Sequence, residues 1–324
     1  MMSYEHIATC PARAAIAGNP SDGHSGAVVS TTVPAVAATV RIQTSKRFEV
    51  AGTDRVYASI EELSDRVDEE GCGDVQPLVP ASLAVMYRLL DAQLNPHLVY
   101  VSSTIPRSVG LAGSSAIVIA TIRAMMAAHM EARWARSLVR EPALLASLAL
   151  VAEREILGIN AGLQDRVVQT FGGTVAMEFG PDSMGTLGGL AIGTYRRIGP
   201  LPSGFFVAYR ADATSNSGQV HSNVNPGDSS VREAMRRAAQ AARAATDAIE
   251  GGDAIALGSA MDKTFDQRAS VMVLEPKHVE MIKVARANGA SANYTGSGGA
   301  VLVFAHDNAA RTALAALGCG IINL

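Results

Sequence analysis

The chain has 324 residues, of which 48% are hydrophobic and 18% charged, with a net charge of -3. This composition excludes a collagen-like or disordered chain, and 27 Lys and Arg against 30 Asp and Glu leave no bulk positive field for nucleic acid. The length suits about two domains, or one large one with ample core.

In chain order, residues 27–32 and 35–42 are rich in Val and Thr and predict two strands, separated by Pro34. Residues 47–51 predict a further hairpin strand, and the acidic stretch 59–70 a solvated helix or loop. Pro80 opens a helix with Leu83, Met86, Leu89 and Leu90 at helical spacing. Residues 98–103 read as a strand, and a glycine-rich loop, 106–114, leads into a helix over 115–130. A second helix covers 141–157 and a strand 174–179. Residues 180–204, dense in glycine and proline, mark the seam between domains. Beyond it come a strand at 205–209 and a long Ala/Arg helix capped by Ser229 or Ser230, ending before Gly251. Asp253 restarts a helix towards Arg268, and 277–287 forms another. A strand at 300–304, a helix at 308–317 and a short strand at 321–324 complete the chain. The interleaving predicts an α+β sandwich with helices on one face of a sheet.

No run reaches the roughly 18 apolar residues of a membrane helix. The strongest, residues 143–152, contains Ser147 and runs into Glu153. Residues 1–9 lack a basic start followed by an apolar run, and Cys10, Cys72 and Cys319 are scattered without CxxC spacing. The expectation is a cytoplasmic, reduced protein with no membrane partner, no disulfide framework and no zinc site. Lysine occurs only at positions 46, 263, 277 and 283, so a phosphate-binding lysine has few places to sit.

The most informative segment is Pro106-Arg-Ser-Val-Gly-Leu-Ala-Gly-Ser-Ser-Ala116. Gly110 and Gly113 allow a backbone to turn and approach a ligand, and the helix that follows offers unpaired N–H groups and its positive end. Ser114 and Ser115 add hydroxyls. The combination suits a nucleotide phosphate cradle, although a glycine turn followed by a serine cap has the same wording. It is neither a Walker A loop, since no lysine follows a glycine, nor a Gly-x-Gly-x-x-Gly fingerprint.

Pro106, Gly110, Leu111, Ser114, Ser115 and Ala116 together resemble the phosphate loop of the GHMP kinases. One departure is the pair Ala112 and Gly113, where most members have a single residue. The superfamily's other two motifs follow in order. Pro11-Ala-Arg-Ala-Ala-Ile-Ala-Gly-Asn-Pro-Ser-Asp22 is similar to its first motif, a strand entering a substrate-binding turn. Tyr294-Thr-Gly-Ser-Gly-Gly-Ala300 is similar to its closing turn. Within the superfamily the wording resembles the glucuronokinase-like sugar kinases, through Gly18–Asp22, Gly110–Ile117, Ala161–Arg166, Ser217–Ser222, Phe265-Asp266 with Arg268, and Thr295–Ala300.

The resemblance implies a two-domain α+β architecture with the active site between the halves. An N-terminal βαβ-containing domain would span 1–195 and a C-terminal ferredoxin-like sandwich 196–324. It implies ATP and Mg²⁺ as cofactors, with residues 106 and 110–116 on the nucleotide. Ser115 and Glu153 would be metal ligands, with Glu155 the rival for the second position. Asp165 would accept or orient the proton of the attacking hydroxyl, and Arg13 would bond this aspartate and stabilise the transferring phosphoryl group. An arginine does not act as a base, so proton removal rests on Asp165. Asn19, Ser21 and Asp22 would hold the acceptor, with Arg166, Gly296, Ser297 and Gly298 closing over it. His24 and His221 are further candidate contacts, although a lone histidine is more often structural. A uronic acid carboxylate needs an arginine fork, for which Arg107, Arg166 and Arg268 compete.

The expected activity is ATP-dependent phosphorylation of a sugar hydroxyl, with glucuronate converted to glucuronate 1-phosphate, and a homodimer as a candidate assembly. Two alternatives stand beside it: a kinase of the same type for another sugar or a non-sugar alcohol, and a catalytically silent sensor of ATP or sugar.

Overall fold

The computed structural model describes residues 5–212 and 228–324. The first and larger sheet is built on two long strands, β1 (Glu5–Ala17) and β2 (Ala27–Thr44), joined through a 3-10 turn at Ser21–His24. To these are added β3 (Phe48–Val50), β4 (Val56–Tyr57), β5 (His97–Ser103) and β6 (Thr174–Glu178). The seam predicted at 180–204 instead carries a small separate hairpin, β7 (Gly185–Leu187) and β8 (Leu190–Ile192), followed by β9 (Thr194–Ile198). The sheet runs β4-β3-β5-β2-β6-β9, with β1 also paired to β2. Because β9 pairs with β6, residues 194–198 extend the first sheet. β3 and β5 are parallel and are connected through α1 (Ile60–Glu70) and α2 (Leu78–Leu90), the βαβ element of this half.

The two strands predicted on either side of Pro34 are one strand. Proline is tolerated there because the ladder skips it. Facing β1, the register jumps from Pro11↔Ala37 to Ala12↔Val33. On the other side β5 takes residues 38–44 and β6 takes 27–31. No neighbour needs the N–H that Pro34 lacks.

Helix α3 (Gly113–Ala128) lies against β1 and β2. Ala116, Val118, Ile119, Ala120, Ile122, Ala124 and Met125 are all fully buried. A helix apolar on every side belongs at the centre of a domain. A short helix unforeseen in the sequence, α4 (Arg133–Arg140), buries only Ala135 and Leu138 and follows. The helix predicted over 141–157 ends earlier, as α5 (Pro142–Val151), and gives way to a π-type turn at Ala152–Ile156. Helix α6 (Leu163–Phe171) packs on α3, α5 and β1.

The second sheet has the order β11-β12-β10-β13, all antiparallel, from β10 (Phe205–Tyr209), β11 (Ser291–Tyr294), β12 (Ala300–Phe304) and β13 (Gly320–Asn323). Helices α7 (Ser229–Gly251), α8 (Ala254–Val271) and α9 (Pro276–Ala287) stand between β10 and β11, and α10 (Ala309–Ala316) between β12 and β13. Setting aside the extra helices, this is the β-α-β-β-α-β order of a ferredoxin-like unit. The α7 cap is Asp228, whose carboxylate accepts from Ser230 N at 2.8 Å, rather than either predicted serine. Helix α7 touches β1, β2 and α8, and one apolar core runs through Ile16, Val29, Ala242, Phe205 and Leu302 from both halves. Among the described residues no helix is long and apolar enough to cross a membrane.

Candidate active site

Three segments that are remote in sequence meet where β1 enters its turn. Arg13, on β1 and only 4% exposed, ties them together. Its Nη1 donates to the carbonyls of Gly110 and Thr295, each at 2.7 Å, and its backbone N–H donates to Leu111 O at 3.3 Å. The Thr295 hydroxyl also donates to Gly110 O, at 3.0 Å. Glycine is required at this junction. Gly110 has φ +72°, and a Cβ there would lie 2.7 Å from the carbonyl oxygen of Gly298. A Cβ on Gly296 would in turn lie 2.6 Å from Gly110 O. The glycine-rich loop and the closing turn therefore touch backbone to backbone.

Helix α3 starts two residues earlier than expected, at Gly113, with Ala112 in the left-handed region at φ 57°. Its first helical bond runs from Ala116 N to Ala112 O, so the N–H groups of Gly113, Ser114 and Ser115 precede the ladder. They form the anion-attracting end of a 16-residue helix. Ser114 is half-buried. Ser115 is fully buried, and its hydroxyl donates to Gln169 Oε1 at 2.7 Å, which leaves its oxygen lone pairs as acceptors. Gln169 also bonds Ala112 O and Pro11 O, both at 2.9 Å, and so fixes the loop to β1.

Asp165 lies in the first turn of α6. Its Oδ1 accepts from Arg13 Nε at 2.6 Å, and its Oδ2 lies 3.6 Å from Arg166 Nη1. Arg166 is held elsewhere: Nε and Nη2 both donate to Glu153 Oε2, and Nη1 to Gly162 O at 2.7 Å. Burial alone would lower the pKa of Arg166, but the charges of Glu153 and Asp165 raise it above the usual arginine value. Arg166, expected on the acceptor, fastens the π-type turn to α6.

The substrate turn follows β1. Asn19 is buried; its amide donates to Tyr294 O at 3.0 Å and accepts from Asn293 at 2.8 Å, tying the turn to β11. Ser21 donates to Ala27 O at 2.7 Å. Asp22 reaches towards α6, where a Cβ on Gly162 would lie 2.7 Å from its Oδ2. Burial, then the charge of Asp165, pushes the Asp22 carboxyl up to about 6, against the opposing field of Arg13. His24 is half-buried at the end of the turn, and burial lowers its pKa. Ser297 and Gly298 stand in the closing turn, and the expected segment 217–222 with His221 lies outside the described residues.

The two candidate acidic ligands differ in their surroundings, and Glu153 is the buried one. It is fully buried, and its Oε1 has no hydrogen-bond partner among the described residues, whereas Glu155 is exposed. A buried, unpaired carboxylate oxygen fits a hard cation. Among the described residues no group of three or more His, Cys, Asp or Glu could enclose a metal. A single buried carboxylate oxygen suits a cation such as Mg²⁺ only where substrate phosphates complete its shell.

Thus Arg13, the loop, Asp165, Asp22 and the closing turn gather in one place, with Glu153 linked to them through Arg166. Gln169 and Thr295 are contributors that the sequence reading does not single out. Gln169 is within its reach, because it stands four residues after Asp165 and so shares its helix face.

Comparison with known proteins places the chain in a family. Residues 81–173 match the family model for the GHMP kinases N terminal domain, and residues 232–321 that for GHMP kinases C terminal. Glucuronokinase 1 of Arabidopsis thaliana is 33% identical over 319 residues, covering 94% of this chain and 86% of that protein. Probable glucuronokinase 2 of the same plant is 34% identical, with 94% and 85% covered. The solved structure of the Methanococcus jannaschii mevalonate kinase superposes with a TM-score of 0.74 at 16% identity, over 99% of this chain and 98% of that one, which is a likeness of fold. With the expected two-domain α+β fold and all three motifs in one site, this chain belongs to the GHMP kinase family and is a phosphotransferase of that kind.

Proposed function

We propose that this protein is an ATP- and Mg²⁺-dependent glucuronokinase, transferring the terminal phosphoryl group of ATP to the anomeric hydroxyl of glucuronate. The observation that carries the reading is the bond from Arg13 to Asp165, made while the same arginine holds both the glycine-rich loop and the closing turn. The acid–base carboxylate is thereby fixed relative to the backbone that would hold phosphate.

In this reading the two halves, divided after β9 rather than at residue 195, contribute different parts, the first the loop and carboxylates, the second the closing turn. The N–H groups at the start of α3 bind the triphosphate, and Ser115 with Glu153 Oε1 would hold Mg²⁺. When bound, that cation neutralises charge on the phosphates during transfer. Asp22 accepts a hydrogen bond from an acceptor hydroxyl and orients the sugar. Asp165 takes the proton of the attacking hydroxyl, and Arg13 Nε holds its carboxylate in place.

The test is ADP release from the purified protein with glucuronate, other uronic acids, galactose and arabinose, followed by NMR of the product. Saturable turnover of glucuronate with a phosphorylated anomeric carbon is expected. Turnover confined to a neutral sugar would refute the assigned acceptor, and no turnover with any sugar would refute the activity.

A further inference from the structure

Four arginines stand at or near the site, and three are already committed or face outward. Arg13 serves Asp165 and two carbonyls, Arg166 serves Glu153 and Gly162 O, and Arg107 is exposed on the loop. Arg268 differs from all of them. It is 1% exposed, and among the described residues no carboxylate lies within ion-pair distance of it. Its Nη1 and Nη2 donate to the carbonyls of Gly296 (2.7 Å) and Ser297 (3.3 Å), while Nε has no partner among the described residues. Its guanidinium carbon lies 5.0 Å from the centre of the Tyr294 ring. A guanidinium carries five N–H donors, so the buried fork keeps capacity for an anion.

Its position on α8 places that capacity. Thr264, one turn earlier on the same face, accepts from Gly18 N at 3.1 Å, at the entrance of the substrate turn. Burial lowers the Arg268 pKa to about 10, against the opposing fields of Tyr294 and Asp22, so the charge of Asp22 reaches it. The cation thus stands between the substrate turn and the closing turn. A nucleotide phosphate already has the α3 helix start, whereas an acceptor carboxylate has no other buried, uncommitted arginine among these four.

We infer that Arg268 is the anchor for a carboxylate on the acceptor sugar and sets the selectivity of this kinase for a uronic acid over a neutral sugar. The inference rests on the glucuronokinase reading and names the residue that would enforce it. A buried cation lacking its counter-charge is costly until the acid group arrives, and a neutral analogue leaves that cost in place.

The experiment measures kcat and KM for glucuronate, glucuronamide (the uncharged isostere) and glucose, and KM for ATP, in the wild-type enzyme, Arg268→Met and Arg268→Lys. Wild-type turnover of glucuronate is established first; its absence, with turnover of a neutral sugar, would overturn the substrate reading and this inference with it. If wild type does use glucuronate, Arg268→Met is expected to raise its KM about 100-fold, as loss of a charged hydrogen bond does. The ratio of kcat/KM for glucuronate over glucuronamide should fall by the same factor, and KM for ATP should change less than about threefold, since the nucleotide phosphates rest on the α3 helix start. Arg268→Lys keeps the charge without the fork, and about a tenfold loss is expected. It carries the test alone if Arg268→Met does not fold. An unchanged glucuronate-to-glucuronamide ratio would show that Arg268 only supports the closing turn. A rise confined to KM for ATP would assign it to nucleotide phosphate. Either result overturns the inference.

Discussion

Arg166→Met isolates the buried ion pair that fastens the π-type turn to α6. The Arg166 and Glu153 side chains are 4% and 0% exposed, so solvent does not screen the pair. Removing the guanidinium leaves a buried carboxylate with neither oxygen bonded and also frees Gly162 O. Breaking such a pair from one side costs about 4 kcal/mol. Unfolding entropy near 2.1 cal/mol/K per residue gives about 0.7 kcal/mol/K for a chain of this size, so Tm should fall by about 6 °C. The double variant Glu153→Met/Arg166→Met removes both charges and should recover most of that loss, because two apolar side chains of similar volume need no counter-charge. Calorimetry of wild type, both single variants and the double variant gives the comparison. Activity should stay low in the double variant despite its recovered Tm, which separates stability from catalysis. A single variant melting within about 1 °C of wild type, or a double variant no more stable than Arg166→Met, would refute the account.

Asp165→Asn should lower kcat by about 10³-fold, within the range of general-base loss, while ATP binding measured calorimetrically persists; retained turnover would remove Asp165 from its role. Gly110→Ala meets both the positive φ and the Gly298 carbonyl at 2.7 Å. It should separate loop from closing turn, cost about 1–3 kcal/mol and raise KM for ATP, whereas wild-type KM would show that the contact is dispensable. Asp22, pushed up to about 6 from 3.8, holds an extra proton in the folded state between about pH 4 and pH 6. Stability should therefore fall as pH rises through that window, and denaturant unfolding of Asp22→Asn should lack the slope. Activity should rise with pH through about 6 as Asp22 ionises; a wild-type profile flat down to about pH 5 would contradict that role.

Much of this protein is legible in its local wording. The loop Pro106–Ala116 carries its own conformational instructions, since Gly110 permits a left-handed turn and the Ala-rich run behind it favours a helix. Strands rich in Val are readable by the same local route. Expectation and structure part where a partner overrides the local signal. Pro34 divides a strand in sequence, but the register skip on one side and the change of neighbour on the other absorb it. The helix over 141–157 loses its last turn to the π-type turn that places Glu153 against Arg166.

The sequence by itself determined the three glycine-bearing segments, their order and the residue types available to bind phosphate and move a proton. Tertiary structure alone decided which charges meet. Arg13 and Asp165 are 152 residues apart, and Arg13 and Thr295 are 282 apart. Arg166 and Arg268 are the same residue type, and each follows an acidic or amide side chain on its helix, yet one is neutralised by Glu153 and the other is buried without a counter-charge among the described residues. The reason is physical. Backbone preference is set by near neighbours and can be read along the chain, whereas the state of a buried charge depends on the groups that packing brings within a few ångströms.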